Sequence, residues 1–400
     1  MISLAGRDIL HGWGKFLFTG IGLGLLIGVT LSMAGIYRGM VDDGQVLIAN
    51  SGADLWVVQQ DTLGPYAEPS NIRDDTWRGI AGLSGVAETG SAAYLTMQIE
   101  HAGKESRVMV VGTEVDRPNR PGVPTYLTAG RPLQSGHYEA IADEKTGFAL
   151  GERVRIRRHE YAIVGLTRRM VSASGDPMVF VSIKDAQEIQ FLKDNDALLN
   201  ERARTAANPA FNRPGVPGLL EAVQASNAQS RMVNAVLVRL EAGADADVVA
   251  SEIRRWKRLT AYTRAQMEDI LVAKLIATSA RQIALFLAIL SVVTVALVAF
   301  IIYTMTLAKV REIAVLKLIG ARNRTIAGMI LQQALGLGLI GFFVGRVAVG
   351  LWAPVFPKYV LLLPGDALRG FAIVMAICAV ASVVAIRTAL HIDPAEAIGG

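Results

Sequence analysis

Long apolar runs punctuate the chain at Phe16–Tyr37, Gln282–Ala308, Ile326–Leu351 and Gly370–Ile386, and a mixed stretch of about 240 residues separates the first from the second. The first run holds 22 residues without a charge, enough to cross roughly 30 Å of hydrocarbon at about 1.5 Å per residue. Ser32-Met-Ala34 resembles a signal-peptide cleavage site, but the run exceeds a signal peptide's apolar core, so an uncleaved anchor is expected. Pro354, Pro357 and Pro364 break the chain after the third run. The pattern predicts four transmembrane α-helices. It divides the chain into an interfacial helix at 1–15, a first span and stalk at 16–50, and a mixed domain at 51–264. A stalk and second span follow at 265–308, then a basic connection at 309–325 and a third span at 326–352. An outer loop at 353–369, a fourth span at 370–387 and a tail at 388–400 complete it.

The mixed stretch reads as α+β. Alternating or β-branched segments at 53–58, 88–97, 107–112, 140–142, 154–157, 161–165 and 178–182 predict strands, with a helix at 74–83. The segment 195–218 is polar and rich in Asn and Pro and reads as a loop, followed by a strand at 233–240, a helix at 244–257 and a strand at 259–263. The closing elements repeat the opening ones in order and length. Two subdomains are therefore expected, one of them, about 115–190, inserted in the other.

From Ala244 to Ile319 there is neither glycine nor proline. Nothing in the sequence then stops one helix from running from about 265 to 319, around 80 Å at 1.5 Å per residue. The first span can likewise continue to a stop at Ser51-Gly52. Gly20, Gly24, Gly28 and Ser32 recur every four residues in that span and form one small-residue face for close helix packing, against this chain or a second copy of it.

Charge orients this frame. Residues 309–325 carry five cations and one acid, and short basic connections stay on the cytoplasmic side. Both termini are then cytoplasmic and the mixed domain is outside, the topology of a multi-pass membrane protein. The segment has apolar residues on nearly every side, so cover by another protein explains it better than floating on lipid. Gly320 is a helix stop, and Asn323 can cap the third span. Apolar residues make up 52% of the chain and charged ones 19%, which excludes an ordinary soluble enzyme. The net charge of +5 resides at the membrane flanks with few aromatics, so nucleic acid is not an expected partner. Cys378 is the single cysteine and the five histidines are scattered, so neither a disulfide nor a metal site is expected. The spans bring no Ser/His, Ser/Lys or paired-Asp set, and no catalytic residue is assigned.

The run Arg311-Glu-Ile-Ala-Val-Leu-Lys-Leu-Ile-Gly-Ala-Arg-Asn-Arg-Thr-Ile326 resembles the hallmark segment of the MacB/FtsX-like ABC transporter permeases, the type VII or mechanotransmission class. Asp393-Pro-Ala-Glu-Ala397 is similar to their C-terminal signature. Gly130-Arg-Pro-Leu133, Glu139-Ala-Ile-Ala142 and Ile163-Val-Gly165 are similar to pieces of their outer domain, and the Ala53-Asp-Leu-Trp-Val-Val58 opening looks like that of DevC-type exporter permeases. The resemblance implies a homodimer, with Arg311, Glu312, Leu316, Lys317, Gly320, Ala321 and Arg322 coupling to a dimer of ABC ATPase subunits. No G-x-x-x-x-G-K-[ST] loop occurs in the sequence, so ATP and Mg are expected on the partner and no cofactor on this chain. A periplasmic adaptor, an outer-membrane channel and membrane lipids are further partners the resemblance suggests. The cargo expected is a lipid, lipoprotein or other hydrophobic molecule. The alternatives are a lipoprotein-releasing permease and a non-transport transducer that controls a cell-wall hydrolase.

Overall fold

The structure is a computed structural model, and it describes residues 13–101, 103–116, 120–124, 126–190, 195–211, 218–220, 223–224, 232–356 and 358–391. The interfacial segment 1–12, the Asp393–Ala397 signature and Pro357 lie outside the described residues. In chain order the elements are α1 (Trp13–Asn50), β1 (Leu55–Gln59), β2 (Ile72–Arg73), α2 (Thr76–Ile80), β3 (Val86–His101), β4 (Lys104–Thr113), β5 (Ala129–Gly130), β6 (Glu139–Asp143), β7 (Arg153–Ile156), β8 (His159–Thr167) and β9 (Met178–Ser182). There follow α3 (Ile183–Gln190), α4 (Asn195–Ala207), β10 (Met232–Val233), β11 (Ala235–Leu240), α5 (Ala246–Arg254) and β12 (Leu259–Thr263). Last come α6 (Arg264–Leu307), α7 (Val310–Leu318), α8 (Asn323–Trp352) and α9 (Pro364–Leu390). The chain divides into two compact units, one made of the residues up to Met40 and from Thr278 onward, the other of Val41–Ala277.

The first unit is a helix bundle, and α1, α6, α8 and α9 are each long and apolar enough to cross a membrane. Lipid tails are as apolar as leucine, so association within the bundle depends on shape. The stripe on α1 supplies it. A Cβ on Gly24 would lie 3.0 Å from the Gly341 carbonyl oxygen of α8, and one on Gly28 would lie 3.2 Å from that of Gly345. In return, a Cβ on Gly345 would sit 2.7 Å from the Gly24 oxygen and 2.9 Å from the Gly28 nitrogen. Gly20 faces Ile340, and Ser32 accepts a 2.9 Å hydrogen bond from the Trp352 indole. The small face is thus occupied by α8 of the same chain. Leu23, Ile27, Leu337, Cys378 and Ala381 fill the core between α1, α8 and α9.

α6 does not continue to Ile319. It ends at Leu307, and a two-residue break precedes α7. No glycine or proline is needed for this. The ladder continues to Ala308, whose N–H still reaches the Thr304 carbonyl, and then tightens, with Lys309 N–H turning back to Thr306 in a three-residue bond at the charged boundary. A π-helical turn at Leu271–Ile276 also interrupts α6.

In the second unit one strand holds the sheet together. The first part of β3 pairs antiparallel with β11 through Val86–Ala92, and the rest pairs with β4 through Ala93–His101. The sheet runs β12-β1-β11-β3-β4-β9-β6-β8-β5, with β7 beside β8. β3 thus belongs to both halves of the sheet. α5 covers one half over Leu55, Val236 and Ala261; α3 covers the other over Val110, Ala140 and Val181. A further core, with Trp56, Ala92, Ile141 and Phe180, crosses from half to half. Residues 195–207, expected to be a loop, form α4 instead. Alanine, leucine and arginine carry enough helix propensity there to outweigh the local Asn and Asp.

The three outer-domain sequence pieces converge. Gly130 pairs with Gly165 across β5 and β8, and Glu139 opens β6, which lies parallel to β8. Gly130 adopts a φ of +83° and packs against the Val164 carbonyl, where a Cβ would not fit. That turn aims the guanidinium of Arg131 at Glu139, with bonds of 2.6 and 3.1 Å, while the N–H groups of Gln134 and Ser135 donate to the same carboxylate. These partners, Arg131 first, lower the Glu139 pKa from 4.5 to about 2.

A folded-state pKa below the unfolded one stabilises above the unfolded value and is lost as pH falls from about 4.5 toward 2. In the full chain, Glu139→Gln should therefore cost about 1–2 kcal/mol at pH 7 and nothing near pH 2, by denaturant titration at both pH values. Equal cost at both would show that the carboxylate's charge is not what matters. In the bundle, Gly345→Val should lower stability by about 1–3 kcal/mol through forced separation of α1 and α8, whereas Gly350→Val, with open space at its Cβ, should be near neutral. Thermal unfolding of the two variants in detergent compares them directly.

Candidate coupling segment, domain junction and membrane cleft

The short helix α7 shows two faces. Ile313 and Ala314 are buried against the bundle, while Val315, Leu318 and Ile319 are exposed, the last two at 65% and 79%. Arg311, Glu312 and Arg322 surround them, also exposed, and Leu316, Lys317 and Ala321 are half-buried. The even distribution of apolar residues around the wheel is thus resolved: one side packs on its own chain and the other forms an apolar tip within a charged rim. Lys317 Nζ donates 2.9 Å to the Leu390 carbonyl at the end of α9, which ties α7 to the bundle and satisfies a terminal acceptor.

The end of α7 is sharply defined. Gly320 has a φ of +88°, its N–H bonds to the Lys317 carbonyl, and Ala321 N–H bonds to the Leu316 carbonyl. This pair of bonds is a Schellman cap, and it reverses the chain into α8. Asn323 is not the cap of α8. Arg322, extended at φ −68° and ψ 144°, holds that position without a side-chain bond, and Asn323 is the first helical residue.

A second site, only faintly marked in the sequence, lies where the end of α1 packs in the sheet unit. Residues 41–50 of α1 belong to that unit, with Leu47 and Ile48 in the core beside Met170 and Ala173. Arg169, strained at a φ of +61°, pairs with the Asp42 carboxylate and lies 4.0 Å from that of Asp43. The adjoining Met170 N–H donates 2.7 Å to the buried Asp143 carboxylate, whose pKa is raised by burial. Asn50 reaches Met170 Sδ at 3.3 Å. The loop after β8 therefore grips the helix by charge and by packing. Paired acids just past an apolar run and paired arginines before a Met were the only traces in the sequence.

The bundle also encloses a cleft of about 610 Å³ between α1, α6 and α9. Ile27 and Leu31, Ile283 and Leu287, and Ile373 and Ile377 form its apolar walls. Thr30, Ser291 and Thr294 face it too, but each hydroxyl donates to the carbonyl four residues back. One end is charged: Asp366 lies 3.2 Å from Arg38 and 3.8 Å from Arg369. Residues 311–322 and the stripe 20–32 form separate features, one at α7 and the other along α8. Among the described residues, no three His, Cys, Asp or Glu side chains could hold a metal ion.

Two family models match this chain, and relatives and solved structures resemble it. Residues 16–256 match the MacB-like periplasmic core domain, and residues 284–394 match the FtsX-like permease C-terminal family. An uncharacterized ABC transporter permease of Mycobacterium tuberculosis is 22% identical over 400 residues, covering all of both chains. Another, from Mycobacterium bovis, is 22% identical over 407 residues, again covering all of both. The periplasmic region of MacB from Actinobacillus actinomycetemcomitans aligns with 55% of this chain and 94% of its own, at 9% identity and a TM-score of 0.35. The extracellular domain of the noncanonic ABC-type transporter YknZ from Gram-positive bacteria aligns with 53% of this chain and 99% of its own, at 12% identity and a TM-score of 0.32. With the core-domain match covering more than half of the sequence and the permease match covering its membrane end, the chain belongs to the MacB/FtsX-like family of ABC transporter permeases.

Proposed function

We propose that this permease converts ATP hydrolysis by a separate ATPase dimer into movement of its 41–277 unit, driving export or extraction of a hydrophobic cargo. The observation that carries the reading is α7, a capped helix fixed to its own bundle on one side and presenting Leu318 and Ile319 to solvent on the other. An apolar tip ringed by Arg311, Glu312 and Arg322 has the anatomy of a small protein interface. The basic connection supports a topology with α7 and both termini cytoplasmic and the 41–277 unit outside the inner membrane of a bacterium. ATP and Mg belong to the partner. α1 and α6 each enter both compact units, which gives a push at α7 a covalent route outward. The junction at Arg169 keeps the end of α1 from slipping within the sheet unit. A homodimer, a periplasmic adaptor and an outer-membrane channel complete the exporter on this reading. The apolar cleft favours hydrophobic cargo over pure control of a cell-wall hydrolase.

The purified chain should hydrolyse no ATP alone and gain activity with its cognate ABC ATPase. Gly320→Pro, which is incompatible with a φ of +88° and removes a capping N–H, should lower cargo movement per ATP at least about tenfold, as should Glu312→Lys. Protease resistance of the 41–277 unit should be unchanged in both. Normal transport by both variants would remove α7 from the coupling path. At the junction, Arg169→Asp or Asp42→Arg alone should uncouple transport from hydrolysis, and the double exchange should restore it in part. If the double variant is no better than either single one, the pair is not a working contact.

A further inference from the structure

We propose that the cleft between α1, α6 and α9 binds an anionic phospholipid, one acyl chain along the apolar walls and the headgroup phosphate against Arg369 and Arg38. The volume, about 610 Å³, lies in the range of built ligand pockets. The hydroxyls of Thr30, Ser291 and Thr294 are already bonded to their own helices, so along these stretches the walls are mainly apolar, with Tyr37 among the lining residues beside the charged end. Ala34, Gly35, Ala280 and Ala284 keep side chains small around it. All three helices are of membrane-crossing length and apolarity, so an occupant reaches the cleft from the bilayer.

The charged end selects the headgroup. Two guanidinium groups share one carboxylate, which leaves a local excess of one positive charge. Arg38 uses its Nε on Asp366, while Arg369 is 81% exposed and approaches Asp366 only to 3.8 Å, beyond hydrogen-bond range. Of the ten guanidinium N–H donors, the Asp366 contact engages the Arg38 Nε, and the exposed remainder is available to a ligand, with a fork geometry that matches phosphate oxygens. A zwitterionic headgroup would bring its own cation beside Arg369 and gain less. The side chain of a second copy packed into the cleft would fill the apolar part and leave the arginines unanswered. Binding stands on this geometry alone; that the bound molecule is cargo rests on the transport reading above.

The test places the full chain in phosphatidylcholine nanodiscs containing a small fraction of phosphatidylglycerol with a diazirine in its acyl chain, or phosphatidylcholine carrying the same group. After irradiation, labelled peptides are mapped by mass spectrometry. Phosphatidylglycerol should label 283–294 and 373–377 about fivefold more than phosphatidylcholine does, the ratio expected from one added cation–headgroup attraction. Arg369→Gln, at an exposed side chain that folding does not need, should bring the two lipids level. Leu287→Trp should reduce labelling by both through filling the cleft. Equal labelling of the wild-type chain by the two lipids would overturn the proposal, as would label spread evenly over the lipid-facing side of α8. Unlabelled walls accompanied by crosslinks between copies would assign the cleft to a second chain and overturn it too. No ATPase is present, so this result can fail while coupling through α7 stands.

Discussion

In a bilayer no water is squeezed out when helices meet, so what holds α1 to its neighbours is the closeness of their backbones. Gly24 and Gly28 on α1 and Gly341 and Gly345 on α8 remove the four Cβ atoms that would keep the axes apart. Trp352 then closes the line with a bond to Ser32, a polar contact at no cost in exposed donors. Everything asked of α1 depends on this seam. A helix free to roll in lipid could not fix one side of the cleft. Nor could it deliver a defined displacement to residues 41–50, where the sheet unit holds it through Leu47, Ile48 and the Arg169–Asp42 pair.

The same logic of attachment recurs at the other end. α7 is fixed where Ile313 and Ala314 pack and where Lys317 caps α9, and its Schellman turn hands the chain directly to α8. A load on Leu318 or Ile319 is thus borne by the bundle and not by a floppy loop. The break at Ala308-Lys309 separates α7 from α6 while the backbone N–H groups of both residues stay bonded within the chain.

Much of this frame was legible in the sequence because hydrocarbon imposes length and polarity limits that few alternatives satisfy. The apolar runs marked α1, α6, α8 and α9, and the four-residue spacing of Gly20, Gly24, Gly28 and Ser32 marked a contact face, though not whose. What was illegible depended on partners distant in sequence. Arg169 meets Asp42 across 127 positions, and Gly130 meets Gly165 across the β5–β8 pairing. The end of α6 was hidden because the helix tightens and stops at Ala308-Lys309 with neither glycine nor proline to mark it. α4 was hidden because turn-favouring residues are not turn-forming when alanine and leucine surround them. A cleft lined by ordinary isoleucines and leucines leaves no local trace at all.

The central claim is that displacement at α7 reaches the 41–277 unit. Cys378 is fully buried, so spin labels can be confined to Val248→Cys in that unit and Val355→Cys in the bundle, two exposed positions. Pulsed electron resonance on the reconstituted permease–ATPase complex then reads their separation. A shift in the distance distribution on adding a non-hydrolysable ATP analogue, absent when Gly320→Pro is introduced, is the expected result. An unchanged distribution in a complex that binds the nucleotide and turns over ATP normally would contradict the claim.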